Sequence, residues 1–339
     1  MKILAFESTC DETAAAVVEN GRKILSDVVF SQADLHAVYG GVVPEIASRS
    51  HVEAISLVAE RALSEAGLKR NEIDAIAVSY APGLIGAVLV GVNFAKSAAL
   101  ALNIPLIPVH HIRGHIAANY LAYPELEPPY LCLAISGGNT LLAKVEDYTK
   151  MEILGSTRDD AAGECFDKTA RVLGLPYPGG RPIDQLSQGG DKFKYSFPQS
   201  KIEGHPYDFS FSGLKTSVIN LVHNAEQKGE EIDRSALAAS FTRAVSEALV
   251  PRTMSALKET GLNKLVIAGG VAANSMIRAD FKRECESAGI ELFIPPLKLC
   301  GDNAAMIAAQ GYFEYLSGVT AGSELNAYAT MDINGSFNG

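Results

Sequence analysis

Two histidines four residues apart, His111 and His115, are the side chains of this sequence whose spacing most directly suggests chemistry. On a helix, positions four apart lie on one face, so both imidazoles can reach a single ion. Neutral imidazole binds zinc or iron, and two imidazoles leave positions for a carboxylate and a substrate. No Glu lies between the two histidines, which excludes the H-E-x-x-H protease pattern. The pair therefore indicates a metal site, and a chance arrangement on a surface helix is the alternative.

A carboxylate for this site is available at Asp302, where the last predicted helix begins. Two interpretations stay open from the sequence. Asp302 can cap that helix by accepting a hydrogen bond from a backbone N–H. It can also complete a set of two histidines and one carboxylate.

Two tight turns of Gly, Ser and Thr, at residues 6–13 and 135–140, are candidate anion sites. Each lies between two predicted strands and exposes backbone N–H groups and hydroxyls, which bind anions well. β-Hairpins use the same residue types for purely structural turns. Their presence in both halves of the chain favours a duplicated fold that binds a phosphate-bearing ligand.

Three more segments could hold a nucleotide. The Gly-Gly turn at residues 268–274 lets a ligand approach the backbone, with Asn274 as a hydrogen-bonding side chain or simply a helix N-cap. Asp184 ends a Gly- and Pro-rich loop that could bind a nucleotide sugar or be a plain surface turn. Asp167 lies on a predicted amphipathic helix, residues 158–173, and could accept ribose hydroxyls or belong to a solvated face.

Strands and helices alternate along the chain, which predicts an α/β fold. The predicted strands include residues 2–6, 13–18, 24–30, 73–79, 105–109, 130–135, 140–146 and 264–268. The pattern restarts after a Pro-rich segment, so we predict an N-terminal lobe at residues 1–125 and a C-terminal lobe at residues 126–339. Residues 177–211 are predicted to be irregular, which in a compact domain is typical of functional loops.

Composition sets limits on the function. The chain has 339 residues, 47% of them hydrophobic, which is enough for two domains with separate cores. Its net charge of −10 has the wrong sign for binding nucleic acid through the whole surface. A polynucleotide would need a local basic patch, such as Lys192, Lys194 and Lys201, or a partner subunit. Lysines that solvate a face are the alternative.

The sequence also predicts a cytoplasmic location without membrane insertion. Five scattered cysteines form no C-x-x-C pair, which argues for a reducing compartment and against a disulfide framework. The N-terminus does not resemble a signal peptide. The longest apolar stretch, residues 84–102, is interrupted by Asn93 and Lys96.

Six motifs, taken together and in order, resemble the bacterial tRNA N6-adenosine threonylcarbamoyltransferases, once called O-sialoglycoprotein endopeptidases. They lie at residues 7–13, 39–45, 111–115, 136–138, 209–215 and 269–274. The resemblance implies a duplicated, two-lobed fold of the actin/hsp70/sugar-kinase type, with the active site in the cleft between the lobes.

The same resemblance implies an activity. A threonylcarbamoyl group passes from threonylcarbamoyl-AMP to N6 of adenosine 37, in tRNAs that read codons beginning with A, and AMP leaves. His111, His115 and Asp302 would bind one iron or zinc ion per subunit, with iron favoured. Asp11 and Glu12 are candidates to accept the proton from N6. The substrate would be held by Ile135, Ser136, Gly137, Gly138, Asn139, Asp167, Gly180, Asp184 and Asn274.

One residue departs from the family pattern, because bacterial relatives usually carry His where this chain has Asn139. The resemblance also implies partners beside tRNA: a paralogous subunit of the same fold in a heterodimer, a small P-loop ATPase, and a separate synthase that makes threonylcarbamoyl-AMP. The alternatives are carbamoyl transfer to another acceptor, a magnesium-dependent kinase of the same fold, and a non-catalytic scaffold.

Overall fold

A computed structural model describes residues 1–200 and 202–335 of the chain, in two compact units. The first unit contains Met1–Pro128, Asp147–Lys150 and the described residues from Pro295 onward. The second contains Pro129–Glu146 and Met151–Ile294. The sequence predicted one division near residue 125, whereas the chain returns to the first unit at its end, because the last helix packs on the first sheet.

The described residues form ten strands and ten α-helices. The strands are β1 (Lys2–Glu7), β2 (Glu12–Glu19), β3 (Lys23–Ser31), β4 (Ala75–Ala81), β5 (Leu106–His110), β6 (Tyr130–Ile135), β7 (Thr140–Asp147), β8 (Lys150–Ser156), β9 (Lys264–Ala268) and β10 (Glu291–Phe293). The helices are α1 (Ala33–Ala37), α2 (Pro44–Ala66), α3 (Ile85–Leu102), α4 (His111–Ala122), α5 (Ala162–Val172), α6 (Gly180–Ser187), α7 (Ser212–Lys228), α8 (Arg234–Thr260), α9 (Ser275–Ala288) and α10 (Ala304–Leu316).

Each unit is built on one five-stranded mixed sheet, and the two sheets have the same strand order. The first sheet runs β3-β2-β1-β4-β5, and the second runs β8-β7-β6-β9-β10. In both, the first strand of the unit pairs antiparallel with the second and parallel with the fourth. The predicted duplicated, two-lobed α/β fold is therefore confirmed, while the position of the active site relative to the lobes stays a prediction.

Alternation along the strands gives the first sheet two apolar faces, because successive side chains point to opposite sides. Leu4 and Phe6 of β1 face a core that includes side chains of α2 and α3. Ile3 and Ala5 face a second core with side chains of α10. Helix α3 is apolar and long enough to span a membrane, but Val88 and its neighbours lie in the first core.

Two predicted elements of the second unit differ from the structure. The helix predicted over residues 158–173 begins at Ala162, because the backbone before it is held by Phe209 and Thr140: Arg158 N donates to Phe209 O and Thr157 N to Thr140 O, at 2.9 and 2.8 Å. The stretch predicted to be irregular contains α6, whose buried Ile183 anchors it.

Candidate functional site

The three predicted metal ligands converge in the first unit. Helix α4 follows β5 directly, so His111 and His115 lie at the carboxyl end of that strand. One nitrogen of each histidine and one oxygen of Asp302 lie within 4.8 Å of one another. Asp302 Oδ1 is 3.1 Å from His115 Nε2 and 3.6 Å from His111 Nε2. Two imidazole nitrogens and one carboxylate oxygen are a suitable donor set for iron or zinc.

The structure distinguishes the two interpretations of Asp302, as a helix cap or as a neighbour of the histidines. The N-cap of α10 is Asn303, whose Oδ1 accepts a hydrogen bond from Met306 N at 2.9 Å. The interpretation of Asp302 as the helix cap is therefore wrong, and its carboxylate lies beside the histidines instead.

His115 provides a test of whether these residues fit a metal ion. Its ring is buried, and neither nitrogen makes a well-aligned hydrogen bond within the described part of the chain. A buried polar atom without a partner needs an explanation, and a bound ion is one of them. A buried imidazole without a well-aligned hydrogen bond, beside the Asp302 carboxylate, fits a metal ligand set.

Burial and neighbouring charges shift the pKa values of the residues in this cluster. Burial alone would lower the pKa of His111, but the carboxylates of Glu7 and Asp302 outweigh that effect and raise it to about 9. Burial would raise the pKa of Asp302, but His111 and His115 hold it down at about 2. Because metal ligands must be unprotonated, metal binding would displace the His111 proton.

Of the predicted catalytic carboxylates, Asp11 lies in the turn between β1 and β2, and Glu12 is the first residue of β2. Burial, with the negative charges of Asp302 and Asp11, raises the pKa of Glu12 to about 10. Ser31 Oγ donates to Glu12 at 3.3 Å. The raised pKa of Glu12 disfavours it as a base, and Asp11 is the other predicted candidate.

Sequence reasoning missed Glu7 and Thr9 as neighbours of the histidine pair. His111 Nδ1 lies 2.9 Å from Glu7 Oε2 and 3.1 Å from Thr9 Oγ1. The only available signal was a Glu at the end of an otherwise apolar strand, since a buried carboxylate requires a partner.

The Gly-rich turn of the second unit is closed by its own hydrogen bonds. Ser136 N donates to Asn139 O at 2.8 Å, and Asn139 N donates to Ser136 Oγ at 3.2 Å. Helix α5 abuts this turn, because Gly163 N donates to Ser136 O at 3.2 Å. Gly137 and Gly138 face open space, so a ligand could approach their backbone.

The turn after β9 lies against the strand that leads into this loop. Gly269 has φ +92°, and a Cβ there would lie 2.5 Å from Ile135 O, so only glycine allows this approach. Asn274 caps α9 by accepting from Ile277 N at 3.0 Å, which confirms the cap interpretation. Its Nδ2 is buried without a hydrogen-bond partner among the described residues, so the amide can still donate to a ligand.

The two predicted substrate-binding aspartates each fasten a neighbouring segment. Asp167 Oδ1 accepts from Gly179 N at 2.8 Å, next to Gly180 at the start of α6. Asp184 Oδ1 accepts from Ser275 N at 3.0 Å and from Ser275 Oγ at 2.7 Å. The two bonds of Asp184 therefore tie α6 to the start of α9, beside Asn274. The predicted substrate-binding residues all belong to the second unit.

The predicted basic patch is partly neutralised. Lys194 forms an ion pair with Asp233 at 2.9 Å. Lys192 Nζ lies 5.5 Å from the ring centre of the exposed Phe193. Lys201 lies outside the described residues.

Comparison with known proteins gives one family. A family model described as tRNA N6-adenosine threonylcarbamoyltransferase matches residues 23–309. The chain is 50% identical over 333 residues to the protein of that name from Clostridium botulinum strain 657, covering 98% of each. It is 52% identical over 325 residues to the one from Clostridium perfringens, covering 96% of each.

Two solved structures of distant sequence share the fold alone. HypF of T. kodakarensis has a TM-score of 0.63 at 16% identity, covering 94% of this chain and 48% of that one. Component A of the (R)-2-hydroxyglutaryl-CoA dehydratase of Acidaminococcus fermentans has a TM-score of 0.54 at 17% identity, covering 93% and 99%.

Proposed function

Because the chain belongs to the tRNA N6-adenosine threonylcarbamoyltransferase family, we propose that His111, His115 and Asp302 hold the metal ion on which this family depends. The activity of the chain is transfer of a threonylcarbamoyl group to N6 of adenosine 37 of tRNA. The observation that carries the metal assignment is the buried ring of His115, which makes no well-aligned hydrogen bond in the described part of the chain although its Nε2 lies 3.1 Å from the Asp302 carboxylate.

The metal ion would supply Lewis acidity, which orients and polarises the threonylcarbamoyl group. Iron is proposed in preference to zinc, on the strength of the family resemblance, and metal analysis of the purified chain tests it. The protein contributes a rigid site, because the two histidines lie on a helix that follows directly from a sheet strand.

The second unit is proposed to bind threonylcarbamoyl-AMP. Support comes from the open backbone at Gly137 and Gly138, and from the unpartnered Nδ2 of buried Asn274. Backbone amides and an amide donor suit a phosphate or carboxylate. Asn139 can donate to the same groups, so the absence of the usual bacterial His does not remove a hydrogen-bonding side chain. Asp167, Gly180 and Asp184 complete the proposed pocket.

Proton removal is assigned to Asp11. The N6 amine of adenine is a weak nucleophile because its lone pair is delocalised into the ring. Attack on the carbamoyl carbon forms the new C–N bond, breaks the bond to AMP, and releases a proton that Asp11 would accept. Glu12, whose pKa is raised, would instead donate a hydrogen bond.

A net charge of −10 gives the chain no general attraction for tRNA, so help from other proteins is proposed. These partners are a paralogous subunit of the same fold in a heterodimer and a small P-loop ATPase, with a separate synthase supplying the donor. The proposed compartment is the cytoplasm.

The test is mass spectrometry of tRNA nucleosides from cells depleted of their own enzyme. We expect threonylcarbamoyladenosine to return with the wild-type chain and with His223→Ala, which changes an exposed histidine of α7. His115→Ala should give no product and should purify without metal. Full activity of metal-free His115→Ala would contradict the metal assignment.

A further inference from the structure

Glu7 is a carboxylate in an unusual position for a charged residue. It is the last residue of the central strand β1, follows the buried Phe6, and is itself completely buried. Burying an ionised carboxylate is costly unless it is paired and hydrogen-bonded. The partners of Glu7 therefore show why the chain places a charge there.

Both oxygens of Glu7 have partners. Oε1 accepts from the backbone N–H of Thr9 at 2.5 Å, and Oε2 lies 2.9 Å from Nδ1 of His111. The backbone bond fixes the carboxylate within its own turn. The remaining oxygen faces the imidazole.

This contact determines the tautomer of His111. An ionised carboxylate can only accept hydrogen bonds, so Nδ1 must carry the proton. The lone pair of the neutral ring is then on Nε2, the nitrogen that lies 3.6 Å from Asp302. A carboxylate behind a metal-binding histidine fixes the ring orientation and raises its basicity.

The two histidines differ in this respect. Nδ1 of His115 has no hydrogen-bond partner among the described residues, whereas Nδ1 of His111 has Glu7 and, at 3.1 Å, the hydroxyl of Thr9. Of the two histidines, only His111 therefore has a carboxylate at its Nδ1 among the described residues. Glu7 is also held rigidly, because β1 pairs with β2 up to Glu7 and Ala14.

We propose that Glu7 is a positioning residue that orients His111 for metal binding through Nε2 and strengthens that bond with its charge. The inference rests on the proposed metal site and goes beyond it, because it assigns the affinity of the site to a residue that does not touch the ion. The partner chemistry is a divalent transition metal.

The test is titration of the metal-free, purified chain with Co²⁺ alone, followed by the visible absorption of the bound ion and by calorimetry. Glu7→Gln keeps a hydrogen-bond acceptor and removes the charge, while Glu7→Ala removes both. We expect Glu7→Ala to weaken Co²⁺ binding about 10- to 100-fold, and Glu7→Gln to weaken it less.

A matched control is Glu314→Gln, another buried carboxylate of the first unit, which pairs with Arg113 of α4 at 3.2 Å. This variant should lower thermal stability but keep the Co²⁺ affinity. Wild-type affinity in both Glu7 variants would overturn the proposal, and so would equal weakening in Glu314→Gln.

The metal site itself has a separate arm in the same titration. Wild type should bind one Co²⁺ per chain and His115→Ala should bind much less. If His115→Ala binds as wild type does, the proposed site fails; if only the Glu7 variants do, the site stands and the role of Glu7 fails. Should Glu7→Ala not fold, the near-isosteric Glu7→Gln decides the question.

Discussion

His110, the last residue of β5 and the N-cap of α4, is uncharged in the folded protein at neutral pH. Its Nδ1 accepts a hydrogen bond from Ile112 N at 3.2 Å, so the ring proton is on Nε2, facing Met331 O at 3.4 Å. Burial lowers its pKa to about 4. Between pH 6.5 and about pH 4 the unfolded chain therefore binds a proton that the folded chain does not.

We predict that His110→Asn reduces the acid sensitivity of the metal-free protein. The folded pKa of His110 lies below the unfolded value, so its contribution to stability is lost as the pH falls from 6.5 towards 4. At 1.36 kcal/mol per pKa unit this amounts to about 3 kcal/mol. Asn keeps the helix cap. Urea unfolding at pH 7 and pH 4.5 measures the difference, and equal losses in both proteins would contradict the prediction.

At this scale the sequence predicted part of the proposed metal site. The spacing of His111 and His115 shows in any helical projection. Asp302 was ambiguous, because a carboxylate before a helix is typical of a cap, and only the structure shows that the neighbouring Asn303 occupies that position. Glu7 could not be assigned, because its role depends on the burial of the strand end and on a residue far along the chain.

At the scale of elements, α5 packs against the Gly-rich turn at residues 136–139. A Cβ at Gly163 would lie 2.5 Å from Ser136 O and 2.7 Å from Gly137 Cα. We predict that Gly163→Ala displaces this turn and weakens threonylcarbamoyl-AMP binding at least 10-fold. Equilibrium binding of AMP or the donor to the purified chain measures the change.

The matched control for Gly163→Ala is Gly213→Ala, near the start of α7. A Cβ at this glycine has no atom within 4 Å, so binding should be unchanged. Wild-type binding by Gly163→Ala would show that the turn moves without cost or does not hold the nucleotide.

Helix boundaries in the second unit show what periodicity cannot predict. The amphipathic pattern runs back to Arg158, yet α5 starts at Ala162. Asp159 instead binds the start of α7: its carboxylate accepts from Phe211 N at 2.8 Å and from Ser212 Oγ at 2.7 Å. Its hydrogen bonds to Ser210, Ser212 and Phe211 also hold its pKa below the usual range, against the effect of partial burial. A contact between distant segments overrides the local pattern.

At the scale of the whole molecule, the segment after α10 completes the first unit. Leu325 is buried in the core with α2 and α3, and Ala321 N donates to Leu106 O of β5 at 2.8 Å. We predict that Leu325→Ala lowers the free energy of unfolding by about 2–5 kcal/mol, because it leaves a cavity. Denaturant unfolding followed by circular dichroism measures it.

Leu316→Ala is the control for Leu325→Ala, since it removes the same atoms from a side chain that is 62% exposed. Its effect should stay within about 0.5 kcal/mol, as for most surface substitutions. Similar losses in the two variants would show that the segment after α10 contributes little to the core.

The duplication was predictable only in outline. The paired loops suggested it, and the alternation of elements gave the α/β class. The identical strand order could not be predicted from local patterns, because pairing depends on which strands meet in space. The return of the chain to the first unit was equally hidden, since α10 has an ordinary apolar sequence and only its packing on β1 and β2 shows where it belongs.

The divided first unit has a consequence for biosynthesis. Ribosomes make the chain from the N-terminus, so His111 and His115 emerge well before Asp302, with the whole second unit translated in between. The nascent protein therefore holds two of the three proposed metal ligands without the carboxylate and without α10, the helix that packs on one face of the first sheet. The complete set of proposed ligands therefore exists only after Asp302 has been synthesised, so metal loading should follow synthesis of the second unit.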